Sequence, residues 1–402
     1  MHKRNSHIII FFLLFFIVVQ KGYSQKALNT KIVEERSYAL YLTAKWDDLI
    51  AYGDSVMPLG FDYYYIRMRV GIAYYELKKY RLAEEHFKKA IEFNASEDLP
   101  FEYLYYIYLY SGRYEESRML SKTFSATLKA KLSIDDLPKV DAVSLDAGRK
   151  ITNITDVPSA MIIQLGLNHY VANRFSLYHS YTFYAQGNTS WRVNQNQYYL
   201  GAVVPLKKNW TALGSFHFVQ GRTDFLTTGV GPQPSVSYSA SAYNYVGSLT
   251  LKKNLKHFDV SIGSSALWLD SVAQFQHHTG LTYYPLGNNK LALGAQVYMH
   301  TRDNYSNINF AVTPYVSYRV SARLGLHASY LSNSGNNLAE WNGFLFNNSP
   351  DLTTSRFTVG AEYSINKHFD IGATYQFENK TSAFGLGNYN FNSIIIAFKY
   401  KP

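Results

Sequence analysis

The chain has 402 residues, of which 17 % are charged and 16 % aromatic, with 36 tyrosines and no cysteine. That length exceeds one ordinary core and points to two or more domains. The missing cysteine excludes disulfides, thiol catalysis, Cys-ligated zinc and Cys-anchored lipidation. The formal net charge of +10 raises nucleic acid as a partner, but the basic residues are scattered, with no recognition helix or Gly-aromatic RNA motif, so no nucleic acid is expected. An anionic surface or an acidic polymer is the better use of that charge.

The N-terminus reads as an address label. Basic residues in Met1 to His7 precede a 12-residue apolar run, Ile8 to Val19, too short for a comfortable membrane span. Gly22 and Ser24 offer small residues at the positions a signal peptidase reads, so residues 1–24 are expected to be a signal peptide cleaved before Gln25. No other long apolar run follows, which argues against a helical membrane protein.

Residues 26–135 have helical periodicity. One helix carries Met68, Gly71, Ile72, Tyr74 and Tyr75, and the next carries Leu82, Ala83, Phe87, Ala90 and Ile91. Trp46, Tyr80 and Tyr114 are spaced by 34 residues, within "AKWDDL", "KKYRLA" and "GRYEES". Thirty-four is the tetratricopeptide period. The middle unit resembles that family, with Gly71, Tyr74, Ala83, Phe87 and Ala90 at its small and large packing positions. The outer units depart from it: Ser117 and Ser121 stand in the last unit, and Leu49 and Gly53 in the first, as expected of caps. The resemblance implies a short periplasmic repeat domain that binds a protein partner.

After Asp141 the period changes from 3.6 to 2. In Phe369–Phe377, Phe369, Ile371, Ala373, Tyr375 and Phe377 oppose Asp370, Gly372, Thr374 and Gln376. The same alternation recurs to the end of the chain. The segments are longer than the 5 to 6 residues of soluble strands and match the roughly 9 to 11 needed to cross a bilayer as a tilted strand. Short connections alternate with long ones, as in outer-membrane barrels. Only the join near Asp270 breaks the alternation, being short where a long one is due. Fourteen strands are expected, at 140–149, 159–170, 175–187, 195–206, 209–222, 242–254, 257–268, 272–285, 289–300, 307–319, 322–332, 355–365, 368–379 and 390–400. Twelve is the alternative if one of these strands is a lid. An even count leaves both barrel ends on one side, with the repeats in the periplasm. Tyr170, Trp210, Trp268, Tyr283, Tyr318, Tyr330 and Tyr400 fit aromatic girdles at the lipid interfaces. The loops 223–241 and 333–354 are long enough to fold inward, but their Gly, Ser, Asn and Pro content favours plain exposed loops.

No catalytic constellation emerges, and no cofactor or metal is expected. His179 and Ser180 are neighbours in a strand and point to opposite faces, as do His277 and His278. Asp259, His300, Arg323, His327, Glu362, Asp370 and Glu378 are expected to line the lumen, either along a solute path or as structural clamps. The architecture as a whole resembles the YaiO-type outer-membrane β-barrel proteins and, more distantly, exopolysaccharide export porins. That resemblance implies an α-plus-membrane-β protein in the Gram-negative outer membrane, with lipids and the barrel insertion machinery as partners and polysaccharide as a cargo. Polysaccharide export or assembly, as channel or scaffold, is the leading functional expectation. A lipid- or glycan-modifying enzyme centred on His300 and His327, and a structural or adhesive anchor, are the alternatives.

Overall fold

The computed structural model describes residues 28–228, 234–269, 271–302, 307–335, 337–346 and 351–402. The expected signal peptide lies outside these residues.

Among the described residues seven α-helices come first: α1 (Thr30–Leu42), α2 (Trp46–Val56), α3 (Tyr64–Glu76), α4 (Tyr80–Phe93), α5 (Asp98–Tyr110), α6 (Tyr114–Ser121) and α7 (Ala126–Lys131). The 34-residue spacing reappears in the backbone. Trp46, Tyr80 and Tyr114 each open the second helix of a hairpin. Two residues before each of them, Ala44, Lys78 and Gly112 adopt positive φ of 51°, 58° and 66°. This left-handed residue is what reverses the chain between helices. Packing follows the same logic. Phe87, Ala83 and Ala90 are fully buried against Met68, Leu104 and Ile107. A Cβ on Gly71 would sit 3.1 Å from the Phe87 ring, so the glycine sets how closely α3 and α4 approach.

Fourteen antiparallel strands then close into a barrel. They are β1 (Val140–Thr152), β2 (Ala160–Val171), β3 (Phe175–Gly187), β4 (Trp191–Pro205), β5 (Trp210–Thr228), β6 (Pro234–Asn254), β7 (Phe258–Leu269), β8 (Val272–Tyr283), β9 (Leu291–Arg302), β10 (Asn307–Arg319), β11 (Leu324–Gly335), β12 (Leu352–Ser364), β13 (Phe369–Thr381) and β14 (Asn388–Tyr400). β14 pairs with β13 on one side and with β1 on the other, from Val143↔Tyr400 to Thr152↔Phe391. Closure satisfies every edge along the shared length, as a bilayer requires. The expected 223–241 loop is mostly strand: β5 and β6 continue to Thr228 and Pro234 as one long hairpin.

The two faces separate cleanly. Leu165, Leu249, Ile262, Ile394 and Phe398 point outward and are more than half exposed. An apolar surface of that extent is a lipid-facing one. Trp210, Trp268, Tyr283, Tyr318, Tyr330 and Tyr400 are on this outer face and 38 to 50 % exposed. Tyr170 corrects the girdle expectation, because it points inward and is 7 % exposed. Inside, long side chains lie flat along the wall over glycines of neighbouring strands. Tyr315 covers Gly294, where a Cβ would fall 2.3 Å from the ring, and the Tyr178 hydroxyl covers Gly166 at 2.6 Å.

Candidate functional site: the lumen and its two closures

The loop between β11 and β12 enters the lumen, against the expectation of an exposed loop. Ala339–Glu340 pair with Leu345–Phe346 as a small hairpin. Its tip, Trp341, Asn342 and Gly343, has three consecutive positive φ values of 50°, 61° and 72°. That conformation is strained for tryptophan, and it persists because the barrel wall fixes the tip on several sides. The Gln276 side chain donates to Ala339 O at 2.6 Å and accepts from Ala339 N at 3.0 Å. Ser215 Oγ donates to Asn342 O at 2.5 Å, and the His217 ring meets Gly343 O at 2.8 Å. Thr250 bonds the Asn342 amide. Leu338 packs with Tyr298, Ala311 and Leu331, and Ala339 with Val246, Leu267 and Leu269. Buried backbone needs partners, and the lumen wall supplies them. That is why the loop is stable here.

Charge holds the hairpin base. Arg356 Nη2 meets Glu340 Oε1 at 2.5 Å and Arg356 Nη1 lies 3.8 Å from Glu378 Oε1, while Lys150 Nζ meets Glu378 Oε2 at 2.6 Å. Lys380 donates to Thr353 at 2.9 Å beside them. Glu340, Arg356, Glu378 and Lys380 are all buried. Removing one member of such a set strands the others without water.

The second closure is the helical domain, seated on the short turns. Arg81 donates to Leu255 O at 2.8 Å, Lys256 O at 3.1 Å and Phe258 O at 3.2 Å, pairs with Asp259, and lies 4.0 Å over the Tyr284 ring. Its own amide donates to Gly287 O at 2.9 Å. Ser176 Oγ donates to Glu115 at 2.5 Å. Arg118 donates to Asn173 at 2.9 Å and to Pro138 O at 2.8 Å, over the Tyr170 ring at 3.7 Å. Asn288 and Asn289 donate to Lys78 O and Ser111 O at 2.8 and 2.6 Å. Behind this surface, Glu84 meets Arg113 at 2.7 Å and Lys88 at 2.5 Å. Burial pulls the Glu84 carboxyl up, but Arg113 and Lys88 outweigh it and leave it below the ordinary range. Burial raises the Glu115 carboxyl, and its bond to Ser176 only partly offsets that.

The cover is off-centre. It seats on the turns after β2, β4, β6 and β8. Among the described residues the helices make no polar contact with the turns at 320–323 and 365–368. Beneath the hairpin on that uncovered side, the lumen wall is small and polar. His327 and Glu362 point inward yet stay exposed, and Glu362 meets Lys399 at 2.8 Å. Asp146 is half-buried nearby. The ceiling of this chamber is aromatic: Trp341 is 38 % exposed and edge-on to Tyr315 at 5.3 Å, and Phe344 is edge-on to Tyr178 and Tyr199 at 5.8 and 5.2 Å.

The residues expected in the lumen are thus distributed over different levels. Asp259 anchors Arg81 at the covered mouth, Asp370 meets Lys401 at 2.8 Å near the last turn, Glu378 belongs to the hairpin latch, and His327 and Glu362 line the chamber. Arg323 is corrected: it lies in the exposed turn at 320–323 and not on the wall. His300 is buried near the hairpin with Nε2 2.8 Å from Gln274. His300 pairs with Asn309 and His327 with Ser317. Eight residues of β10 separate those levels, on the order of 26 Å along a strand, so the two histidines share no site. Sequence reasoning missed Arg81, Arg118, Glu340, Trp341 and Arg356. The usable signal was the apolar content of "LAEWNGFLF" (338–346), too high for a loop in water.

No family model and no curated protein matches the chain. Solved structures resemble it at low identity. The CymD monoaromatic hydrocarbon channel is 10 % identical, with a TM-score of 0.47, over 67 % of this chain and 90 % of that one. The Pseudomonas putida toluene transporter TodX is 11 % identical, with a TM-score of 0.43, over 66 % and 90 %. A FadL homologue of Pseudomonas aeruginosa is 8 % identical, with a TM-score of 0.41, over 65 % and 90 %. The barrel assignment stands on the strand ladders, the two faces and the closed order, and the chain is a fourteen-stranded membrane β-barrel of the outer-membrane type with an N-terminal helical domain seated on its short turns.

Proposed function

We propose that the protein is an outer-membrane conduit closed at rest, with its helical domain in the periplasm as a partner-binding cover, serving export or assembly of an envelope glycan. One observation carries this reading: the 337–346 hairpin is lodged across the lumen, held largely by polar bonds to Ser215, His217, Thr250, Gln276 and Arg356. Polar bonds can be exchanged for water at little net cost, so the hairpin is displaceable in a way that a wholly apolar plug is not. The glycan is favoured by the chamber beneath it. Trp341 offers an exposed aromatic ring, and Asp146, His327 and Glu362 offer groups that hydrogen-bond hydroxyls. The off-centre cover leaves a way in from the short-turn side.

The test is single-barrel conductance in planar bilayers, for the full chain and for a variant with 337–346 replaced by a short Gly-Ser linker. The full chain should be nearly silent and the variant should conduct steadily, with neutral oligosaccharides interrupting its current. Steady conduction by the unmodified chain, unchanged by the replacement, would remove the gated reading. A silent variant would leave a scaffold or anchor, a second reading favoured by the presence of two closures on one lumen.

A further inference from the structure

β6 is longer than its neighbour on one side. It spans Pro234–Asn254, yet its ladder with β7 begins only at Tyr245↔Trp268, and the β7–β8 hairpin turns between Leu269 and Val272. On its other side β6 is paired with β5 from Pro234 to Lys253, with one bulge at Ser237. From Tyr238 to Tyr243, then, one edge of β6 has no ladder partner among the described residues. Tyr238 and Tyr243 are 62 and 49 % exposed, and Ser239 and Ser241 are exposed too. Natural sheets blunt such edges with lysine, proline, bulges or a covering loop. "YSASAY" (238–243) contains neither lysine nor proline. At the foot of this edge, on the outer wall, is a cavity of about 240 Å³. Gly247, Ala266 and Ala273 form its floor, and Tyr245, Trp268 and Phe275 its walls.

We propose that this edge accepts an extended strand from a partner polypeptide, added beside β6 in the notch above the β7–β8 hairpin, with one apolar side chain of the partner seated in the cavity. A row of main-chain donors and acceptors at strand spacing is complemented by another backbone and by little else. A second copy of this chain is the poorer occupant. Copies in one membrane point the same way, so their β6 strands run parallel, and the antiparallel edge pairing of a two-fold dimer is closed to them. An added antiparallel strand runs upward from the hairpin, so its N-terminal residue lies nearest the cavity. The placement at the cell surface rests on the sidedness proposed above; the edge itself does not.

The probe is acetyl-FTVTVTV-amide carrying a C-terminal fluorophore, titrated by anisotropy against the full chain in detergent and against intact cells displaying it. Binding is expected, weakened at least tenfold when Phe is replaced by Asp, and lost when alternate peptide nitrogens are methylated in one of the two registers. Successive residues direct their N–H groups to opposite edges, so either Ser241→Pro or Ala242→Pro blocks the open one. That variant should keep heat-modifiable migration and bind at least tenfold more weakly. No binding, binding indifferent to both methylated registers, or full binding by both proline variants overturns the proposal. A peptide-free dimer in nanodiscs that the proline variant dissolves would assign the edge to a second copy, and also overturns it. Binding in detergent but not on cells supports the edge and reverses the sidedness instead.

Discussion

Arg81 illustrates how much one side chain can decide. It is 5 % exposed, and its guanidinium serves three carbonyls, a carboxylate and a ring from two separate turns. Arg81→Ala leaves Asp259 buried with the Tyr284 hydroxyl, 3.0 Å away, and the Asn254 amide as its remaining partners. The loss should be about 3 to 5 kcal/mol of docking, read as faster hydrogen exchange in α4 without loss of the barrel. Asp259→Asn in the same background should recover part of it, and no recovery would argue against a stranded charge. His86 supplies a pH dependence. Burial, then Arg67 at 3.5 Å, hold its pKa down to about 4, against the opposing pull of Glu85 and Asp62, with Lys256 adding to the depression. The unfolded chain therefore takes up the proton first as pH falls below about 6.5. The His86 contribution to helical-domain stability is full above that value and declines down to about pH 4, by on the order of 3 kcal/mol. The carboxyls of Glu84 and Asp62 are held below their ordinary values, so their losses belong below about pH 4.5. Melting of the helical signal from pH 7 to 5 should flatten in His86→Gln; an unchanged slope would assign it elsewhere.

At the scale of elements, the strands were legible because a barrel wall imposes period 2 on every crossing, and Phe369 to Phe377 states it in nine residues. Strand number and closure followed from that pattern and from the punctuation between strands. The β5–β6 extension was not legible, because Tyr238 to Tyr243 is rich in small residues that read equally as loop. The inward hairpin was hidden for a different reason. Its partners, Gln276, His217 and Arg356, belong to three different strands, and no local pattern announces a bond to them. Glu340 is the element's most informative position. Glu340→Ala removes the carboxylate nearest Arg356. It should raise hydrogen exchange in 337–346 roughly a hundredfold, the equivalent of about 3 kcal/mol, and bring brief channel openings. Unchanged exchange would show that Leu338 and Phe346 hold the hairpin by packing alone.

For the whole molecule, closure depends on the last strand. Removing the chain from Ile394 onward deletes most of the β1–β14 ladder and should abolish heat-modifiable migration; a normal barrel after truncation would refute the observed seam. The off-centre seat of the helices bears on how the molecule is made. Arg118, Glu115, Arg81 and the carbonyls of Lys78 and Ser111 grip residues between Pro138, just before β1, and Asn289, in the turn after β8. Those partners are all present once the first 289 of the 402 residues are in place and paired locally. The helices can thus act as a jig, gathering four hairpins along one rim while β10–β14 are still unpaired, and shortening the search by which β14 finds β1. Folding of the barrel without its helices should consequently be slower, even where the finished barrel is equally stable.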